Sequence, residues 1–308
     1  MKRILITGCG DIAMRVAPLL QGHYRMFGLV RRAERFAELR ATGIIPVPGD
    51  LDDMWSLSRI AGLADTVLHF APPAVGSLRN NGVSTGVPLA GASNNGTGDP
   101  RTRNLLAALS RSTPPKRLIY ISTSGVYGDC SGAQVSETHP RHPQMARTQL
   151  RVDAEQQIRD WAERNHVNAS TLRVPGIYAA DRLPLERLRQ GTPVIAAEED
   201  SYTNLIHAND LARIVVAALR HGKPNRAYHA SDDSKLKMGD YFDAVADACG
   251  LPRPPRLPRA EVERAVSPML WSFMNESRRL TNERMKQELK VRLRYPTVAD
   301  ALALIKGA

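Results

Sequence analysis

Through the first half of the chain, short apolar runs rich in β-branched residues alternate with stretches whose apolar positions recur at helical spacing. The runs at 2–7 (KRILIT), 24–30 (YRMFGLV), 44–48 (IIPVP), 65–70 (DTVLHF), 117–122 (RLIYIS) and 168–173 (NASTLR) predict strands, with helices between them at 11–20, 33–42, 52–61, 101–112 and 146–165. Such alternation is the signature of a parallel sheet covered by helices on both faces. Gly43 stands where a left-handed helix stop belongs, and Asp99-Pro100 supplies a cap followed by proline at the first helical position. Residues 74–98 break the pattern with repeated Gly, Ser and Asn and almost no charge, a composition that predicts a mobile surface loop beside the fourth strand. Past residue 174, helices are separated by proline-rich links such as Leu251-Pro252-Arg253-Pro254-Pro255, while Asn209-Asp210 opens a further helix of the main fold that ends near His221-Gly222. The expected architecture is an α/β, doubly wound parallel sheet over 1–174, with 207–229 returning to it. Residues 175–206 and 230–308 would form a smaller C-terminal lobe.

Composition narrows the class. At 308 residues and 43% apolar content the chain can bury a full core without staples, and its longest apolar runs are far too short to span a membrane. Thr7-Gly8-Cys9-Gly10-Asp11 interrupts the first apolar run too early for a signal peptide. Cys9, Cys130 and Cys249 are odd in number and widely spaced, so neither a disulfide framework nor a zinc site is expected, and a cytoplasmic location follows. The net charge of +11 admits an acidic partner. Its arginines are scattered rather than striped and no nucleic-acid-binding signature accompanies them, so nucleic-acid binding is disfavoured.

The most informative stretch is Ile4-Leu5-Ile6-Thr7-Gly8-Cys9-Gly10-Asp11-Ile12-Ala13, a strand followed by G-x-G-x-x-A. In a Rossmann-type unit Gly8 makes the tight turn, Gly10 lets the backbone approach a pyrophosphate, and Ala13 allows close helix–strand packing. The amides at Asp11 and Ile12 then open the helix that receives the phosphates. At the end of the second strand an acidic residue would bind the ribose 2′-hydroxyl of NAD. Arg31 and Arg32 stand there instead, which favours NADP, with NAD as the lesser alternative. The competing reading makes the two arginines ordinary solvated residues that open a helix.

Taken with Gly49-Asp50-Leu51, Leu68-His69-Phe70-Ala71, Ser122-Thr123-Ser124-Gly125-Val126-Tyr127-Gly128, Leu172-Arg173-Val174-Pro175-Gly176-Ile177-Tyr178, Ile206-His207-Ala208-Asn209-Asp210-Leu211-Ala212 and Ser277-Arg278-Arg279 ahead of Tyr295-Pro296, the chain resembles the extended and atypical short-chain dehydrogenases/reductases. That family includes NAD(P)-dependent epimerases and dehydratases. The resemblance implies that Asp50 and Leu51 neighbour the adenine, that Phe70, Ala71 and Pro72 lie along the cofactor, and that Pro175 and Gly176 lie near the nicotinamide. It makes Thr123 the catalytic hydroxyl, against the alternative of a strand-end threonine bonded only to backbone.

One departure separates the chain from the family. Where the family carries Tyr-x-x-x-Lys one helical turn apart, the corresponding residues are Arg147 and Arg151. Arg151 could hold cofactor ribose or phosphate, but Arg147 titrates far too high to shuttle a proton. Ser124-Gly125 likewise lacks the acidic pair of the dehydratases. Tyr127 and Tyr178 are conceivable substitute acids, whereas His207 and Asp210 read as a structural junction before a helix. The expectation is an NADP(H)-binding, epimerase/dehydratase-like oxidoreductase or isomerase for a small or sugar-like substrate. Its rival is a non-catalytic NADP(H)-sensing regulator. No metal is expected. Helices 101–112 and 146–165 correspond to a family four-helix interface, with Leu105, Leu106 and Leu109 at compatible spacing, so a homodimer is expected.

Overall fold

Successive side chains of the first strand, β1 (Lys2–Thr7), point to opposite faces, and both faces are dry: Ile4, Leu5 and Ile6 have no exposure at all. A strand buried on both faces belongs in the middle of a helix-covered parallel sheet. The computed structural model describes residues 1–74 and 98–306 and contains that sheet. With β2 (Tyr24–Val30), β3 (Ile44–Pro48), β4 (Thr66–His69) and β5 (Arg117–Thr123), seven strands run in the order Arg226–His229, Asn168–Val174, β5, β4, β1, β2, β3, each parallel to its neighbours. The strand order reverses direction between β1 and β4, which opens a crevice beyond their carboxyl ends.

Two apolar layers hold the sheet. Ile4 and Ile6 pack with α1 (Asp11–Leu20) and the helix Ala208–His221 through Val16, Leu20, Leu211 and Val215. Leu5 and Val67 pack on the other side with α3 (Pro100–Leu109) and α4 (Ala146–Arg164) through Leu105, Leu109, Ile158 and Trp161. A third cluster, built from Val194, Ile195, Phe242, Val245, Val262 and Leu302, forms the core of the C-terminal lobe. Asp210 ties that lobe down by accepting from the backbone amides of Arg294 and Tyr295 at 3.0 and 2.8 Å.

Several expectations change in detail. The predicted helix 52–61 is a 3₁₀ segment, Met54–Ile60, because Asp53 caps Trp55 N–H and Ser56 Oγ bonds back to the Asp53 and Asp50 carbonyls. The helix expected over 33–42 divides into a 3₁₀ turn, Ala33–Arg35, and α2 (Phe36–Ala41). Ser110 Oγ bonds the Leu106 carbonyl and ends α3 at Leu109, short of residue 112. Leu105, Leu106 and Leu109 are buried in the chain's own core, so they are not exposed to form an interface. Arg226–His229, not foreseen as a strand, extends the sheet at one edge. The loop expected at 74–98 falls, except for its two end residues, outside the described residues. No described helix is long and apolar enough to cross a membrane.

Candidate functional site

The turn after β1 is closed by a hydrogen bond from Gly10 N–H to the Gly8 carbonyl at 2.8 Å. Gly8 has φ +89°, and a Cβ there would lie 2.3 Å from Ala71 N, so no other residue fits. Gly10 differs. A Cβ built on it meets nothing within 4 Å, and it provides no side-chain cap to α1. The first turn's amides, on Asp11, Ile12 and Ala13, consequently meet no acceptor among the described residues, the first helical bond running from Met14 N–H to the Gly10 carbonyl. Three open amides at the positive end of a ten-residue helix are an anion-binding arrangement. The carboxylate of Asp11 does not compete for that place, because Arg15 and Arg182 each bond it at 2.8 Å.

Around this turn lies a cavity of about 320 Å³. It brings together Gly8 and Gly10 with Arg31 and Arg32 from the end of β2, Asp50 and Leu51 from beyond β3, and Phe70, Ala71 and Pro72 from beyond β4. Arg31 is half exposed and stands 3.8 Å from both the Asp50 and Asp52 carboxylates, a loose pairing that leaves its charge available. Two arginines in the lining escaped the sequence reading. Arg35 donates to the Cys9 carbonyl at 2.7 Å and pairs with Glu38, and Arg101 grips Asp52 at 2.7 and 2.6 Å while bonding the Pro72 carbonyl. Arg35 follows Arg31 and Arg32 by one short turn and could have been found from that spacing. No sequence signal marked Arg101. Cys9 lies beneath the turn, where burial pushes its thiol up to about 12 and removes it as a nucleophile.

A second cavity, of about 560 Å³, starts at the end of β5, next to β4, and runs into the C-terminal lobe. Thr123, Pro175, Gly176 and Arg147 line it, as do Arg182, Arg187, Tyr202, Phe273 and Arg278, which the sequence reading did not assign to a site. Thr123 Oγ1 accepts from Gly125 N–H at 3.2 Å, and its own proton remains to be donated. Arg147 Nη1 donates to Ser272 Oγ at 2.7 Å while the guanidinium lies 4.2 Å over the Phe273 ring. Burial pulls this guanidinium below its ordinary value.

Three side-chain candidates, Arg151, Tyr127 and Tyr178, lie in neither cavity. Arg151 turns toward the sheet, where Nη1 bonds the Ile121 carbonyl at 2.6 Å and Tyr120 Oη at 3.0 Å. Tyr127, carried from the sequence as a catalytic candidate, is fully engaged elsewhere. His229 Nδ1 faces the Thr281 carbonyl at 2.8 Å and must carry the proton, so Nε2 accepts from Tyr127 Oη at 2.6 Å, and Arg173 donates to the same oxygen at 2.6 Å. Arg173 is itself paired with Glu155 at 3.1 and 2.8 Å. Burial pushes the Tyr127 phenol up to about 12, so its place is in a structural network rather than in proton transfer. Tyr178 is also buried, edge-on to His207, and lines neither of these two cavities. Among the described residues no group of His, Cys, Asp and Glu side chains could hold a metal ion.

Residues 4–231 match the model of the NAD dependent epimerase/dehydratase family. A conserved protein of unknown function from Silicibacter pomeroyi is 28% identical, with TM-score 0.78 over 100% of this chain and 99% of that one. A dTDP-glucose 4,6-dehydratase from Streptomyces venezuelae, solved with NAD, is 19% identical, with TM-score 0.74 over 99% of this chain and 96% of that one. A UDP-glucuronic acid 4-epimerase from Bacillus cereus in complex with NAD is 18% identical, with TM-score 0.71 over 99% of each chain. No curated protein matches the chain.

Proposed function

The chain belongs to the NAD dependent epimerase/dehydratase family, and from that premise we propose that it binds NADP(H) and acts as an oxidoreductase on a small organic substrate held in the second cavity. The observation that carries the reading is the first turn of α1, where three amides without a partner among the described residues and the open space at Gly10 leave a place shaped for a pyrophosphate. The dehydratase and epimerase neighbours were solved with NAD, which supports a nicotinamide dinucleotide. Arg31 and Arg32, standing where an acid would bind a free ribose, support the phosphorylated form. Phe70, Ala71 and Pro72 would lie along the dinucleotide, and Pro175 would back its nicotinamide.

When bound, such a cofactor supplies or accepts a hydride at its nicotinamide ring. The residues around the substrate then have restricted roles. Thr123 donates its hydroxyl proton in a hydrogen bond to the reacting oxygen. Arg147 is a fixed cation that can hold an oxyanion but cannot deliver a proton. The proton of the net reaction is exchanged with water, and the reaction forgoes the assistance of a tuned phenol.

A second reading, an NADP(H)-sensing regulator, is favoured by one observation: neither the Tyr127 phenol nor the Arg151 guanidinium reaches either cavity. Calorimetric titration with NADPH, followed by NADPH consumption with a panel of ketones and aldehydes, tests both. Binding with turnover supports the oxidoreductase. Binding without any turnover supports the sensor, and absence of binding overturns both.

A further inference from the structure

Four arginines line the second cavity against one carboxylate, that of Glu276. Their commitments differ. Arg278 is paired with Glu276 at 2.7 Å and bonds the Gly128 carbonyl at 2.5 Å. Arg182 is paired with Asp11 at 2.8 Å. Arg147 and Arg187 form no ion pair among the described residues, although Glu276 acts on Arg147 through space, and the Arg187 side chain, which is exposed, makes no hydrogen bond among them either.

Arg147 is the more informative. It is half-buried, and its one polar partner, Ser272 Oγ, is buried and already oriented, because that hydroxyl donates to the Met269 carbonyl at 2.6 Å. The opposing face of the guanidinium is Phe273. Both contacts come from the helix Pro268–Met274, so the cation is held in place while its remaining N–H groups find no acceptor among the described residues. Glu276, which acts on Arg147 through space, is already paired with Arg278, so the half-buried cation remains under-compensated and a ligand oxyanion would offset that cost.

One stretch of the wall, on the C-terminal lobe, is apolar, while Thr123, Ser124, Thr203 and Asn204 line the side nearer the sheet. Met238, Tyr241, Phe242, Leu270 and Phe273 face the same space, and Phe273 remains 52% exposed although it is a large apolar residue. A nucleotide diphosphate carries more than one negative charge and would need several free cations. Here two of the four arginines are neutralised by the protein's own acids. A singly charged, planar carboxylate matches one guanidinium fork, and an apolar body matches the wall beside it.

We propose that the second cavity takes an organic carboxylate with an apolar body. The carboxylate sits on the free edge of Arg147, the body lies against Tyr241, Phe242, Leu270 and Phe273, and Arg187 attracts the anion at the mouth. The proposal rests on the reading of this cavity as the substrate site, but it does not need the cofactor assignment.

Calorimetric titration of the full chain, with and without saturating NADPH, tests it with 3-phenylpropionate, its neutral amide 3-phenylpropionamide, and UDP-glucose. The carboxylate is expected to bind at least about tenfold more tightly than the amide. Arg147→Met should weaken the carboxylate about tenfold or more while leaving the amide and NADPH unchanged, and Arg147→Lys should recover part of the loss. Arg187→Met, at an exposed position, should weaken the carboxylate by a few fold and reduce its salt dependence even if Arg147 variants fail to fold. Equal binding of acid and amide, no binding of either, or UDP-glucose binding more tightly than the carboxylate would overturn the proposal. Failure of NADPH alone to bind would remove the cofactor reading and leave the carboxylate comparison decisive.

Discussion

Replacing Gly8 and Gly10 by alanine, one at a time, separates folding from cofactor binding at the turn after β1. At Gly8 a Cβ would lie 2.3 Å from Ala71 N and 2.7 Å from both Ala71 Cα and Phe70 C. These are backbone atoms, held because Phe70 and Ala71 both donate to the Thr7 carbonyl, at 2.8 and 3.0 Å, and they cannot swing aside as a side chain would. Left-handed backbone costs an L-residue about 1–2 kcal/mol. Overpacking adds roughly 1–3 kcal/mol. Gly8→Ala should therefore lose on the order of 2–5 kcal/mol and lower the urea midpoint accordingly. At Gly10 the backbone has φ −90° and the added methyl meets nothing, so stability should change by less than about 1 kcal/mol. The methyl would nevertheless occupy the approach of the pyrophosphate, and NADPH affinity should fall by at least about tenfold, roughly 1.4 kcal/mol. Urea unfolding and calorimetry on both variants provide the two readouts. A Gly8→Ala protein with an unchanged midpoint, or a Gly10→Ala protein that binds NADPH as tightly as its parent, would refute the geometry argued for this turn.

Arg31→Ala should weaken NADP(H) by about tenfold or more and spare NAD(H), the loss of a charge-assisted bond worth roughly 1.5–3 kcal/mol; calorimetry with both cofactors decides, and an unchanged preference would make the residue an ordinary surface cation. The purified protein should not epimerise or oxidise common nucleotide sugars at family-like rates, since general acid–base assistance of about 10²–10⁴-fold is missing, and robust turnover in a coupled assay would refute this. Burial pulls His69 and His229 down from 6.5 to about 3. Over that interval the unfolded chain binds more protons than the folded one, so stability present above about 6.5 is lost on acidification, at most about 1.4 kcal/mol per pH unit for each histidine. Asp232, pushed up to about 7 by burial, holds a proton when folded that it releases when unfolded, and so opposes the loss; urea titrations between about pH 7 and about pH 5 should therefore fall more steeply for Asp232→Asn than for the parent.

The sheet was legible because its strands are short apolar runs between unambiguous stops. The strand Ile44–Pro48 starts immediately after Gly43, which has φ +79°, and Asp99 caps α3 by accepting from Arg101 and Thr102 amides with Pro100 at the first helical position. The segment after β3 was misread because periodicity alone does not reveal that Asp53 and Ser56 compete for its backbone. The cavity around Gly8 and Gly10 is lined by local motifs at strand ends, so most of its lining was readable. The second cavity is assembled from residues as far apart as Thr123 and Arg278, and nothing in local spacing announces which arginines will converge there. Tyr127 failed as a candidate for the same reason: His229 and Arg173, its hydroxyl's partners, lie 102 and 46 residues away in sequence.

The two arginines on α4 show why a substitution pattern must be read with its surroundings. Residues four apart share a helix face, yet Arg147 and Arg151 end in different environments. Arg151 meets the Ile121 carbonyl and Tyr120 hydroxyl near the end of β5, and its charge is absorbed by the fold. Arg147, one turn toward the N-terminus, meets, among the described residues, Ser272 and the face of Phe273, both from the C-terminal lobe, and forms no ion pair there. Restoring a tyrosine at 147 and a lysine at 151 would therefore change two unrelated things. It would remove the cation that a carboxylate needs, and it would release the Ile121 carbonyl from a guanidinium bond that a lysine, with a single point charge, can replace only in part. A double variant that stayed inactive would thus not weaken the case that the missing phenol limits proton transfer, because the surrounding cavity is built around the arginine.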